Sequence, residues 1–547
     1  MGDTGFLENL FHGRLRKDQF FLDYNSVDEG KVQSLVFRLN EVTSNYSPAQ
    51  LEAEGRVPEQ VLAGLKQIGL FGITVPVEYG GLGFSLSEYL RVIESIAGDD
   101  MALCLIPLAH LSIGMKGILL FANEQQKAKY LPLAASGEMV FGYALTEPKI
   151  GSDAQNISTT ALLSEDGTHY ILNGGKTYIT NGNYAQGLTV FAQTDPENPG
   201  KGMGAFIVET HWEGVHIGKD MPKMGLKISS TTAIQFKDVR VPVENRLGQD
   251  GDGFKIAMTV LNYGRLGLGA ASSGIMLQSL ADMYARASSR NQFGSPIKEY
   301  ELIQEKIVKA KVHAFAARSM TYFTAKALEA DPLANVAIES SHCKLYGTTQ
   351  AWDTLYDALQ TAGGSGFLAT QPYEKRMRDF RVTTIFEGTS EIHSMYPPLT
   401  LLRGYAKEFG GNALAALSFA RKLRKARVLD GLVVEHKELH KAKDLACTLE
   451  KIIRRQLARG MTRYGKRVAE HEFYLRRVTR LSLAMFQLVA ACSFLHAKAD
   501  RGGLNKEDRA LLAYIMAEAT EVYTRERHFG PDKLEKAHQQ VYASIDR

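Results

Sequence analysis

Cysteine is scarce. Positions 104, 343, 447 and 492 are the only four in 547 residues, with no CxxC pair among them. That argues against a disulfide framework or a zinc site, leaves no metal site to expect, and suits a reducing compartment. Charge of one sign is also lacking: 64 Lys/Arg against 60 Asp/Glu give a net charge of +4, so the chain as a whole is no evident polyanion binder. No GxGxxG follows a strand in a βαβ unit, so the usual dinucleotide fingerprint is missing. No fixed-period repeat or low-complexity tract occurs. The opening MGDTGFLENLFHGRLRK has no basic leader followed by an apolar run, so neither a secretory signal nor a transit peptide is expected. The longest apolar stretch, LSLAMFQLVAACSFLHA (481–497), is short for a membrane span and contains Gln487 and His496. It reads as a buried helix, and the chain as a multi-domain protein without a transmembrane segment.

What is present changes texture along the chain. Residues 1–24 read as an extended arm, and 25–138 as helices with apolar positions three and four apart. Within them EYGGLGFSLSEY (78–89) is a glycine-broken loop in which Ser85 or Ser87 caps the next helix. From 139 to 250 short β-branched and aromatic segments alternate with Gly/Asn/Asp turns, as in HYILNG, LTVFAQT and TAIQFKDVRVP. Helical periodicity returns over 251–405, and a further helical extension covers 406–547. The expected class is α+β, mostly α: an N-terminal helical domain, a middle β-barrel-like domain, a helical third domain and an extra C-terminal helical domain.

Four segments carry chemistry. YALTEPKIGSDAQN (143–156) offers the hydroxyls of Thr146 and Ser152 beside a turn-forming glycine. GGKTYITNG (174–182) presents Tyr178 on a strand ending in Asn-Gly. LQTAGGSGF (359–367) is a glycine run that lets backbone approach a phosphate. RVTTIFEGTSEIH (381–393) delivers Glu387 at the edge of an apolar run and breaks at Gly388-Thr389. Taken singly, glycine-rich loops are more often turns than ligand cradles, and Glu387 alone reads as a residue before a helix capped by Thr389 or Ser390.

In this order and spacing the chain resembles the acyl-CoA dehydrogenase family over about residues 30 to 400. It is closest to the very-long-chain branch, through FLENLFHGRLRKDQFF (6–21), HLSIGMKGILLF (110–121) and the C-terminal extension. The resemblance implies a C-terminal four-helix domain, FAD as cofactor, acyl-CoA as substrate, electron-transfer flavoprotein as acceptor and a homodimer. It places Tyr143, Leu145, Thr146, Gly151 and Ser152 along the flavin ring and the start of the CoA path, and Tyr178 and Thr180 on a second flavin-contacting strand. Arg290, Gln292 and Phe293 match the motif that reaches the FAD diphosphate and adenosine. Gln360, Gly363 and Gly364 match a loop completing that site from a partner subunit, and Thr389 a hydroxyl near FAD. Two departures stand out: Tyr178 where most members carry tryptophan, and Glu391 where medium-chain members carry glutamine.

The resemblance also makes Glu387 the catalytic base, with Phe386, Gly388, Arg265 and Ser152 on the substrate side. Desaturating a thioester takes the α-hydrogen as a proton and the β-hydrogen as hydride to flavin N5, and an apolar setting makes a carboxylate a stronger base. In the family a backbone N–H at the base helps hold the thioester oxygen. Some relatives place the base on an earlier helix, immediately before an arginine. Here that helix reads LNYGRLG (261–267), and Gly264 leaves the position without an acid. LIPLAHLSIG (105–114) has no Glu or Gln plug, which favours a deep apolar slot and a long-chain substrate.

From 401 to 460 there are 14 Lys/Arg against 6 Asp/Glu. In the resembling branch this region meets the inner mitochondrial membrane, so 412–459 is an expected peripheral membrane contact; the competing reading is a solvated or partner-packed helix face. A bacterial cytoplasmic location at the inner membrane face is expected, or the mitochondrial matrix side for a processed eukaryotic form. The alternative function is a catalytically altered homologue serving as an assembly scaffold or a DNA-associated flavoprotein; Glu387 with Gly264 favours a working enzyme over both, and nucleic acid is not an expected partner.

Overall fold

The computed structural model describes residues 4–198, 202–409 and 412–545. The chain forms two compact units. A core unit holds residues 27–314 and 347–387; an extension unit holds the residues up to Ser26, Phe315–Tyr346 and the chain from Gly388 onward. The class is α+β and mostly helical, in the order helices, strands, helices and further helices.

In the core unit, helix starts follow the local chemistry. Ser85 caps Leu86–Asp99 in a reciprocal box with Glu88, and Asn123 does the same with Gln126 for Glu124–Ser136. Asp100 caps Met101–Ala109 by accepting from the N–H groups of Ala102 and Leu103, and its other oxygen takes the Lys375 ammonium at 3.1 Å. The 37-residue helix Gly253–Ser289 is buried through its middle. Helix Leu86–Asp99 lies directly against it: a Cβ at Gly274 would fall 1.9 Å from the Glu94 carbonyl oxygen, a contact only glycine allows.

The middle region is an eight-stranded sheet in the order β6-β7-β3-β2-β4-β5-β8, with β1 pairing in parallel to β4. The strands are β1 (Phe141–Ala144), β2 (Thr160–Leu163), β3 (His169–Thr180), β4 (Gly187–Gln193), β5 (Met203–Glu209), β6 (Val215–Ile217), β7 (Thr231–Pro242) and β8 (Arg246–Leu247). β4 is buried along its whole length and β7 alternates in and out, which is why the first reads as a continuous apolar run and the second as a period of two. The register of β3 against β7 slips between Lys176 and Ile179, and the bulge holds Tyr178 at φ 58°.

In the extension unit, the stretch 481–497 lies inside Glu472–Gly502, a helix long and apolar enough to cross a membrane yet mostly buried in the protein, as is Met101–Phe121 in the core unit. Thr479 ties it to the Ser394 carbonyl and Ser482 to the buried His342 ring. The arm differs from its expected extended form. Phe6–Phe11 is a helix whose Phe6, Leu7, Leu10 and Phe11 are all buried, because the apolar residues of FLENLF have a packed surface to meet. The Arg454 guanidinium, 1% exposed, caps its far end by donating to the Phe11 carbonyl at 3.1 Å and to the Leu10 carbonyl.

Glu339 holds the near end of that arm helix: its Oε1 accepts from the Leu7 N–H at 2.6 Å. Burial pushes its pKa up to about 7 from 4.5, opposed by that N–H. Between those values the folded chain keeps a proton that the unfolded chain has released, so stability falls as pH rises through this window. Glu339→Gln keeps the acceptor and removes the charge. We expect the urea midpoint of the variant to lose most of the wild-type decline between pH 5 and 8, a difference on the order of 3 kcal/mol. Parallel pH profiles for the two proteins would contradict this.

Candidate active site

Glu387 follows the 3-10 turn Arg381–Thr384, with the Ile385 and Phe386 N–H groups both donating to the Val382 carbonyl. It sits at φ 56°, in the left-handed region. A non-glycine residue there costs on the order of 1–3 kcal/mol and marks functional positions. The conformation turns its carboxylate inward, where Oε2 is shielded from solvent. In the extension unit, Gly388 follows at φ 94°, where a Cβ would meet His393 Nε2 at 2.7 Å. The Lys344 ammonium, fully buried, donates to the Gly388 carbonyl at 2.6 Å. Thr389 caps the next helix, its hydroxyl accepting from the Ile392 N–H, as the local sequence pattern allows; Glu391 is exposed.

Four groups of the core unit converge on the acid. Arg265, 6% exposed, donates from Nε to the Glu387 carbonyl at 3.4 Å and from Nη1 to Asn262 Oδ1 at 3.5 Å. Tyr143 on β1 donates to the Ala257 carbonyl at 3.3 Å; burial and then the Glu387 charge push its hydroxyl well above its ordinary pKa, so it stays protonated. Gly264 comes closest: a Cβ there would lie 2.9 Å from Ile113 Cγ2 and 3.1 Å from Glu387 Oε2. The two alternative base positions thus face one space, and only one of them carries an acid. Ile113 comes from His110–Gly114, a π-helical turn within HLSIG. Its extra residue per turn is invisible to a 3.6-residue periodicity, which is why the sequence did not single out Ile113. Gly264→Ala is expected to displace the carboxylate and lower kcat by roughly ten- to a hundredfold, with little change in thermal midpoint. A variant that melts early at unchanged kcat would place the crowding elsewhere.

The residues matched to cofactor binding fall in two groups of the core unit. Tyr143, Leu145 and Thr146 run from β1 into a loop held to β3: the Thr177 N–H donates to the Thr146 carbonyl, and the buried Lys176 ammonium donates to the Leu145 carbonyl and to Glu147. Burial raises the Glu147 carboxyl, but Lys176 and the Ser158 and Thr159 donors outweigh it and bring its pKa to about 2. This pair was not read from the sequence. It fixes the loop beside Tyr178, whose ring is 67% exposed; Gly151 and Ser152 lie exposed at the loop's tip, and Thr180 is half-buried at the end of β3. The Leu145 side chain is buried.

The second group is two exposed turns. Arg290 ends the helix Gly253–Ser289, and Gln292 and Phe293 follow in the hairpin Asn291–Pro296, with Phe293 at φ 51° and 96% exposed. Gln360, Gly363 and Gly364 end the helix Ala337–Ala362, and a Cβ at either glycine would have nothing within 4 Å. Arg286 joins the two: Nη2 donates to the Ala362 carbonyl at 3.4 Å, while its shielded Nε has no hydrogen-bond partner among the described residues. Open glycine backbone, exposed aromatic rings and a shielded guanidinium N–H fit a flavin dinucleotide: a planar ring system joined to a pyrophosphate.

Residues 37–138, 142–239 and 251–396 match the N-terminal, middle and C-terminal domains of acyl-CoA dehydrogenase, respectively. The human mitochondrial very long-chain specific acyl-CoA dehydrogenase is 35% identical over 514 residues, covering 89% of this chain and 78% of that protein. An acyl-CoA dehydrogenase of Bacillus subtilis is 40% identical over 354 residues, covering 65% of this chain and 92% of that one. The crystal structure of an acyl-CoA dehydrogenase complexed with FAD from Bacillus anthracis superposes with a TM-score of 0.83 at 30% identity, covering 98% and 95% of the two chains.

Proposed function

Since the chain belongs to the acyl-CoA dehydrogenase family of FAD-dependent oxidoreductases, we propose that it desaturates long-chain acyl-CoA to trans-2-enoyl-CoA with Glu387 as the base. One observation carries this reading: the Glu387 carboxylate, in a left-handed backbone position, faces Gly264 and Ile113 within 3.1 Å of where a Gly264 Cβ would stand. Bound FAD supplies the acceptor for the β-hydride. The chain's own residues take the α-proton onto a Glu387 oxygen, orient that residue's peptide through Arg265, and keep Tyr143 protonated beside it. Tyr143, Thr146, Gly151, Ser152, Tyr178 and Thr180 would hold the ring end of the cofactor. Arg290, Gln292, Phe293, Gln360, Gly363 and Gly364 would hold its diphosphate end, the last three in a second copy of a homodimer. Electron-transfer flavoprotein would collect the electrons.

Chain length rests on the apolar helix carrying Ile113 and on similarity to the very-long-chain relative. Comparing kcat/KM for C8, C12, C16 and C18 acyl-CoA tests it: the reading requires C16 or C18 to exceed C8, and a C8 optimum would overturn it.

A membrane contact is supported in part of the basic region. Helix Ala413–Lys425 exposes Leu414 and Leu417 beside Arg421, Lys422 and Lys425, an apolar and cationic surface suited to anionic lipid. In the stretch 451–459 Ile453, Arg454 and Leu457 are buried, which leaves Arg455 and Arg459 exposed to share in it. Leu414→Ser with Lys422→Glu is expected to cut sedimentation with phosphatidylglycerol vesicles at least severalfold; equal binding would remove this helix from the contact.

A further inference from the structure

Three donor groups meet in the extension unit, where neither the flavin chemistry nor the base needs them. His436 stands immediately before the helix Lys437–Tyr464. His496 and Asp500 lie one turn apart on Glu472–Gly502, on one face of that helix. Asp500 bridges the two rings: Oδ1 lies 2.6 Å from His436 Nε2 and Oδ2 3.1 Å from His496 Nδ1. The rings meet edge to face with centroids 4.9 Å apart, and Phe21 of the arm packs on the other side of His496 at 4.9 Å. One ligand atom from each of the three residues fits within a sphere in which no pair is more than 4.8 Å apart.

We infer that His436, His496 and Asp500 form a divalent-cation site of the zinc class. Two imidazole nitrogens and one carboxylate oxygen are a donor set that Zn²⁺ takes with a fourth position left to water. Tetrahedral ligands around zinc lie about 3.3 Å apart for bonds near 2.0 Å, so the three atoms need only small side-chain rotations to close on an ion. The imidazole protons now directed at Asp500 are those that a metal would displace. His496 supplies the inner ligand: it is 8% exposed, and its Nδ1 faces Asp500. Asp500 is exposed and gives an ion a route in. Bound there, the ion would clamp the start of one helix to the end of another, beneath the arm. It would act as a structural fastener with no part in the redox reaction. The sequence concealed it because the two histidines are separated by 60 positions and neither belongs to a short metal motif.

The test uses FAD-loaded full-length protein, stripped with a chelator and titrated with ZnCl₂ by calorimetry, with bound metal counted after gel filtration. We expect one equivalent of zinc per chain and a thermal midpoint several degrees higher with zinc present. His436→Ala and Asp500→Asn should each weaken that equivalent at least tenfold and abolish the shift. His528→Ala, which removes an exposed histidine elsewhere, should change neither. Asp500→Asn keeps the size and exposure of the residue, so its folded state, checked by circular dichroism, guards against a merely misfolded variant. Absence of a retained equivalent, or equal zinc binding by wild type, His436→Ala and Asp500→Asn, would overturn the assignment and leave a hydrogen-bonded His–Asp–His cluster.

Discussion

Glu387→Gln is expected to lower kcat for palmitoyl-CoA by roughly 10²–10⁴-fold while leaving FAD bound and the fold intact, the range that removal of a positioned proton acceptor produces. The substitution keeps the shape and the left-handed backbone that the Gly388 turn imposes at this point. What it removes is the charge that can accept the α-proton. Because Gly264 leaves no second acid on the facing helix, nothing substitutes for it. Gly264→Glu in the Glu387→Gln background gives a sharper readout. The two positions face one space, so a carboxylate returned from the helix side should restore a measurable part of the lost rate. Activity within threefold of wild type in Glu387→Gln would show that the proton leaves by another route.

Arg454→Leu is the second large effect, and it falls on stability. Arg454 donates to Glu450 at 2.6 Å and to two carbonyls at the end of the arm helix, with its guanidinium over the Phe11 ring at 5.6 Å. Glu450, fully buried, also accepts from the Val428 and Leu429 N–H groups. Removing the guanidinium strands a buried carboxylate and uncaps the arm, a loss of about 3–5 kcal/mol. We expect a lower urea midpoint and new tryptic cleavage at the exposed Arg14 and Lys17. Glu450→Gln added to Arg454→Leu should recover part of the loss, because the stranded charge is gone. A single variant as stable and protease-resistant as wild type would mean that the pair holds nothing.

The contrast between Arg454 and its neighbours shows what a sequence can and cannot carry. KIIRRQLAR reads as one basic patch, yet Arg455 and Arg459 face solvent while Arg454 is as buried as a leucine. Composition cannot separate them, because Arg454 is held by Glu450 one turn away and by backbone carbonyls more than 440 positions back. The arm helix depends on the same distant partners, so it looks extended when read alone. Elements whose determinants are local were legible: the Ser85 cap, the alternation of β7, the apolar helix around 481–497 and the glycine loop at 363–364. Glu387 stood out in the sequence through its motif. Its left-handed backbone did not, since nothing in the side chain of Glu387 prefers that conformation; the turn and its packing impose it. The π-helical turn that presents Ile113 was hidden in the same way.

The most direct test mixes FAD-loaded protein anaerobically with one equivalent of palmitoyl-CoA, following flavin absorbance while the acyl product is identified by mass. The account predicts bleaching of the oxidised flavin band with formation of trans-2-hexadecenoyl-CoA in wild type, and neither on the same timescale in Glu387→Gln. Flavin that stays oxidised in wild type, or bleaches equally fast in the variant, would contradict it.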